Sequence, residues 1–132
     1  MRVLGAWRAL KTTALSSDGV SVVAPFGGEH AVGSITFEPN GWMTTVLCDG
    51  RRTDALDGHR QFHAYAGVYE FDGEGLVVNI EVATDPAMIG SRQSRAVRFD
   101  HEMMVLTPPP RSLDGRTITY EVYWQRVTEK SL

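Results

Sequence analysis

The chain is poor in the features that would narrow its class at once. Among 132 residues there is one cysteine, Cys48. An intrachain disulfide is impossible, which fits a reducing compartment, and a lone buried cysteine reads first as a small core residue. No run of apolar residues approaches the roughly 20 needed to span a membrane as a helix. The opening MRVLGAWRALK has no long apolar segment of a secretory signal. A cytoplasmic protein without a membrane partner is therefore expected. Basic residues are also sparse. The formal net charge is −3, and Arg92, Arg95 and Arg98 are too few for a phosphate track, so nucleic acid is not an expected partner. Repeats and low-complexity segments are missing. What remains is 42% hydrophobic and 22% charged residues, a globular composition with enough chain for one domain over residues 1–132 and a real core.

The patterning of that composition is β. In Pro25–Leu47, Ile35 and Phe37 alternate with Ser34, Thr36 and Glu38, the period of a strand with one buried face. Glu38-Pro39-Asn40-Gly41 follows, and Asn-Gly predicts a type I′ hairpin turn. Trp42–Leu47 returns as the second strand. Upstream, Ala6–Ala14 reads as a first strand, Ser16-Ser17-Asp18-Gly19 as a turn, and Val20–Ala24 as a short strand. Phe26-Gly27-Gly28 reads as a bend.

Downstream, Tyr65–Phe71, Leu76–Ala83, Ser91–Asp100, Met103–Thr107 and Arg116–Val127 read as strands. Turn residues separate them, and Pro108-Pro109-Pro110 cannot sit inside a sheet. Residues 49–64 break the pattern. They are polar, and Leu56, His59, Phe62 and His63 fit one face of a short helix. Long connections of this kind are functional or disordered. The last residues, 129–132, read as a polar tail.

About eight strands joined by short turns favour an all-β, antiparallel up-and-down meander. Eight strands remove their edges by closing into a barrel, which is wide enough for one small ligand. A β-sandwich would need long cross-sheet connections that this chain lacks.

Several motifs together resemble the lipocalin-like domain family of small bacterial and fungal proteins. They are Leu4-Gly5-Ala6-Trp7-Arg8, the stretch from Ala31-Val32-Gly33 to Asn40-Gly41-Trp42-Met43, and Tyr65-Ala66-Gly67-x-Tyr69-x-Phe71-Asp72-Gly73. Glu81, Pro86, Gly90 and Arg95 fall at the family's spacings. Thr107-Pro108-Pro109-Pro110, Gly115-Arg116-Thr117 and Trp124-Gln125-Arg126 resemble its ending. The resemblance covers nearly the whole chain and implies an eight-stranded barrel with an internal cavity. It does not imply one reaction. The family pattern often carries a histidine where this chain has Asn79, so an activity resting on that histidine is not expected here. In lipocalin-type barrels an arginine near the C-terminus packs over the first-strand tryptophan, a role that the resemblance implies for Arg126 and Trp7.

The candidate site residues are ionisable or aromatic groups on strand faces. Arg95 shares parity with Val97 and Phe99. If that face is inward, Arg95 either pairs with Glu81 or Glu70 to order the core, or anchors an oxygen of a ligand through its guanidinium fork. In another register it is solvated. Tyr120 shares the apolar parity of the last strand, so its hydroxyl needs a buried partner or a ligand. Asn79 and Glu81 alternate with the apolar face of their strand and read as exterior by pattern. The resemblance places them toward the cavity, where a desolvated Glu81 would serve as acid or base.

His63 is the candidate for proton transfer because histidine titrates nearest neutral pH. His59 and His63 have a helical metal spacing but no third ligand, so neither a metal nor another cofactor is expected. Tyr65, Tyr69 and Trp42 complete the candidate ligand contacts. The leading reading is a protein that binds a small, largely apolar molecule. A cofactor-independent isomerase, cyclase or dehydratase using His63 and Glu81 is the alternative, and a homodimer is a further expectation.

Overall fold

The computed structural model describes residues 2–56 and 58–128. Nine strands form one sheet: β1 (Gly5–Ser16), β2 (Ala31–Phe37), β3 (Trp42–Asp49), β4 (Phe62–Phe71), β5 (Gly75–Ala83), β6 (Arg92–Asp100), β7 (Met103–Thr107), β8 (Arg111–Leu113) and β9 (Arg116–Arg126). Every pairing is antiparallel. Neighbours follow the chain from β1 to β7, then β9, and β9 pairs back onto β1. The sheet is thereby a closed barrel of eight strands, as expected, with β8 as an addition.

The addition follows from proline chemistry. β1 occupies one edge of β9 along residues 118–126. β7 and β8 share the other edge, β7 against Val122–Gln125 and β8 against Arg116–Ile118. Pro108–Pro110 separates them because proline has no ladder donor.

Three expectations are corrected. The central hairpin forms, but its turn is not type I′. Gly41 has φ 91° while Asn40 is not among the residues with positive φ. Gly41 N–H donates to the Glu38 carbonyl (3.1 Å), and Glu38 N–H to the Trp42 carbonyl (2.9 Å). This is a type I turn followed by a glycine bulge. Pro39 decides it: the ring holds φ near −65° at the first turn position, so the turn centres on Pro39-Asn40.

Val20–Ala24 is not a strand. The expected helix in 49–64 is only a single 3-10 turn, Thr53–Ala55, and Phe62 and His63 belong to β4. The local helical spacing loses to cross-strand pairing, since Cys48 and Leu47 lie opposite Phe62 and His63. Asp57, in the polar insertion, and the polar tail lie outside the described residues.

Inward positions build the core. Trp7, Ile35, Phe37, Met43, Leu76, Val78, Ile80 and Met104 are all buried. They concentrate at one end, where Arg126 closes the barrel. Its guanidinium lies 4.1 Å from the Trp7 ring centroid and donates to the Leu4 and Arg2 carbonyls at 2.6 and 2.5 Å. Trp7 Nε1–H donates to the Val3 carbonyl at 2.8 Å. The arrangement that the family resemblance implied for this pair is present.

Candidate functional site

The other end of the barrel is hollow. A cavity of about 360 Å³ opens there, at the lower end of the roughly 300–1,000 Å³ usual for small-molecule sites. Register defines its walls. Ile35, Thr45 and Tyr65 form one inward row across β2, β3 and β4, with Leu47 and His63 in the next row toward the mouth. On the opposite wall Val97, Leu106 and Val122 lie in register. Two positions toward the mouth along β6 and β9 stand Arg95 and Tyr120. Two positions deeper are Phe99, Met104 and Trp124. Ile35, Leu47, Leu106, Val122 and Trp124 make the lining apolar, and His63, Tyr65, Arg95 and Tyr120 are polar groups set into it.

A strap crosses the mouth. Pro25–His30 runs as a distorted 3-10 segment in which Phe26, Gly27 and Gly28 have φ of 56, 79 and 61°. The left-handed φ of Phe26 is unusual for a residue with a Cβ and marks local strain at the site. Phe26 N–H donates to Gln61 Oε1 at 2.6 Å, the buried Thr12 hydroxyl donates to the Pro25 carbonyl, and Gly50 N–H donates to the His30 carbonyl at 2.8 Å. Asp49 lies beneath Gly27, where an added Cβ would meet its carboxylate oxygen at 2.6 Å. Arg51 grips that carboxylate from both sides, Nε to Oδ1 at 3.0 Å and Nη2 to Oδ2 at 2.6 Å. This contact, with the Arg51 amide, holds the Asp49 carboxyl down at about 2. The lid of this barrel thus comes from the Pro25 segment, and the polar insertion contributes Gln61 to the rim.

Arg95 settles two of its three readings. It faces inward, so it is not on the solvated face. Among the described residues it forms no ion pair; Glu70 and Glu81 are exposed on the outer surface. Its guanidinium donates to the Ser94 carbonyl at 2.7 Å and acts on the Tyr65 hydroxyl both as a charge and as a donor. Parity separates its neighbours: Arg98, three residues on, points outward and pairs with Glu121 at 3.1 Å. Arg92, also exposed, donates to Asn79 Oδ1 at 3.5 Å.

Burial pushes the Tyr65 hydroxyl above its ordinary value near 10, with Arg95 opposing the shift. Burial lowers His63 from its ordinary 6.5; Arg95 lowers it further, and Asp85 works against both. The two rings stand 5.2 Å apart. The cavity therefore presents a neutral imidazole and a neutral phenol beside a fixed cation.

Four of the sequence-predicted residues, His63, Tyr65, Arg95 and Tyr120, converge on the cavity. Four do not. Asn79 and Glu81 are exposed on the outer face of β5, where strand alternation had put them, so the placement suggested by resemblance is corrected. Glu81 sits where the β4–β5 register slips, between the Ala66–Val82 and Gly67–Ile80 pairs, and this bulge does not turn it inward. Trp42 lies opposite the exposed Val68 and is half-buried outside, because its neighbour Met43 takes the inward position. Tyr69 is inward but at the closed end, packed edge-on to Phe37 with ring centroids 5.0 Å apart, and its hydroxyl donates to the Glu38 carbonyl at 2.8 Å. Cys48 is half-buried on the outer face rather than in the core. His59 is in a loop, away from any helix that would align it with His63. Phe26, Gln61 and Trp124 line the cavity without having been singled out as site residues. The signal for Trp124 was its shared parity with Tyr120.

The pattern of the lipocalin-like domain family matches residues 4–127, and the chain belongs to that family. No curated protein matches it. Fold and family together define a lipocalin-like β-barrel, an architecture suited in general to holding a small molecule. No helix among the described residues is long and apolar enough to cross a membrane.

Proposed function

We propose that this protein binds a small, largely apolar molecule that carries one anionic or strongly electronegative oxygen. The observation that carries this reading is Arg95, an inward cation in an apolar cavity with no carboxylate partner among the described residues. An unpaired charge in such surroundings is costly, and a ligand oxyanion supplies the missing partner. Arginine's planar fork suits a carboxylate, a phenolate or an enolate. Tyr65, buried beside it, stands as a neutral hydrogen-bond donor. His63 is neutral near pH 7 and serves as acceptor to the ligand or as a proton carrier. A catalytic pair of His63 with Glu81 has no geometric support, since Glu81 lies outside the barrel.

A matched pair of ligands tests the reading. 2-Naphthoate and its neutral isostere 2-naphthamide share size and shape and differ in charge. The wild-type protein is expected to prefer the acid by at least tenfold in calorimetry, and Arg95→Met to abolish that preference. Equal affinity for both in the wild type would overturn the role of Arg95.

A further inference from the structure

The outside of the barrel is divided. Around β6, β9 and β1 the outward groups are charged and engage one another. Arg98 pairs with Glu121 at 3.1 Å, and the Lys11 ammonium lies 4.9 Å from the Tyr123 ring centroid. Across β2, β3 and β4 the surface is different. Alternate residues of Val32–Thr36, Trp42–Cys48 and Phe62–Val68 face outward, and none of them is charged. Val82, beside Ala66, carries this surface onto β5. Val32, Phe62, Val68 and Val82 are 49, 54, 43 and 54% exposed. The small side chains of Ala64 and Ala66 leave a hollow of about 310 Å³ between Val46 and Val82. A continuous uncharged face of this kind, rimmed by charge, marks a contact surface for another macromolecule.

The rim identifies the partner. Arg8 stands on β1, level with Ser34 at one edge of the face. Glu81 stands on β5 at the other edge, next to Val82. Both are exposed, and neither forms an ion pair among the described residues. Arg92, one strand beyond Glu81, is turned to Asn79. We infer that this face binds a second copy of the chain, making an isologous dimer. A two-fold axis running roughly along the strands lays the β1 edge of one copy over the β5 edge of the other. Arg8 then meets the partner's Glu81, and the same pair forms again across the axis. A cationic edge and an anionic edge on either side of a neutral face are complementary to themselves in that arrangement. The area fits a reversible dimer. Four strands about 4.8 Å apart and about 3.3 Å per residue give a face on the order of 20 by 23 Å. Two such faces bury on the order of 1,000 Å², the lower bound for a specific interface. The ligand cavity opens at the end of the barrel rather than through this wall, so the dimer is independent of the proposed ligand.

Sedimentation equilibrium of the full chain tests it, from about 5 to 500 µM protein at low salt, where exposed ion pairs are least screened. The wild-type protein is expected to dimerise with a dissociation constant in the micromolar range. Phe62→Ser removes the largest exposed apolar side chain of the face and should weaken the dimer at least about tenfold. Arg8→Glu and Glu81→Arg should each weaken it about fivefold or more, because each opposes like charges twice across the axis. The double variant Arg8→Glu with Glu81→Arg should return to within about twofold of the wild type. Glu81→Arg separates the pairing from a general charge effect. It lowers the chain's net negative charge of −3, so general repulsion alone would tighten the dimer where the pairing loosens it. Circular dichroism of each variant at low concentration confirms that the barrel is folded. A wild-type chain that stays monomeric throughout overturns the inference. So does a dimer indifferent to Phe62→Ser, or a double variant no tighter than either single one.

Discussion

The Arg126 guanidinium lies 4.1 Å from the Trp7 ring centroid and spans two carbonyls of the N-terminal segment. Arg126 thereby ties the N-terminal segment across this end of the barrel, where the Arg2 guanidinium also lies 4.0 Å from the Phe99 ring centroid. Arg126→Met should lower stability by about 2–3 kcal/mol, combining a cation–π contact with charge-assisted hydrogen bonds. Urea denaturation measures it, and an unchanged midpoint would remove the closing role.

Arg95 is the opposite case. Its removal breaks no ion pair, so Arg95→Met should leave the melting temperature unchanged or raised while it weakens binding of acids. A loss of about 3–5 kcal/mol, the signature of a broken buried pair, would show that the guanidinium is structural.

The strap separates two glycines with similar backbones. Gly27 and Gly41 have φ of 79 and 91°. A Cβ at Gly41 meets nothing within 4 Å, whereas one at Gly27 runs into the Asp49 carboxylate. Both alanine variants incur left-handed strain of about 1–2 kcal/mol. Gly27→Ala should cost at least about 1 kcal/mol more than Gly41→Ala. Equal losses in thermal unfolding would mean that the strap is not held against Asp49.

Two pH windows follow from the shifted groups. His63 binds its proton in the unfolded chain near its ordinary value of 6.5 but only at lower pH in the fold. The unfolded state then holds more protons, so stability falls as pH drops below about 6.5. His63→Gln should flatten that limb of the stability curve, and an unaltered slope would contradict the buried neutral imidazole. For Asp49 the contribution is full above its ordinary 3.8 and is lost as pH falls toward about 2. Asp49→Asn should remove that acid limb.

Much of this architecture was legible residue by residue. Ile35 and Phe37 announced β2, Leu76, Val78 and Ile80 announced β5, and Pro108–Pro110 announced the break that splits β7 from β8. Where reading failed, a local preference met a stronger neighbour. Asn40-Gly41 alone favours a type I′ turn, and Pro39 overrides it. The spacing of His59 and His63 fits a helix, and the ladder to Leu47 and Cys48 takes His63 into a strand.

The site was legible only in part, for a reason of the same kind. Strand parity assigns a residue to one of two faces, which was enough to place Arg95 and Tyr120 together and to put Asn79 and Glu81 outside. Depth along the barrel is set by register and shear, which depend on pairs far apart in the chain. Tyr69 and Tyr65 share the inward side of β4, yet one serves the closed end and the other the cavity. The sequence by itself determined the strands, their turns, the closed barrel and the polar groups on its inner face. Tertiary structure alone decided which end stays hollow, that Pro25–His30 covers it, and that no carboxylate among the described residues pairs with Arg95. Partnership is a matter of distance between side chains from non-adjacent strands, and no local pattern encodes it.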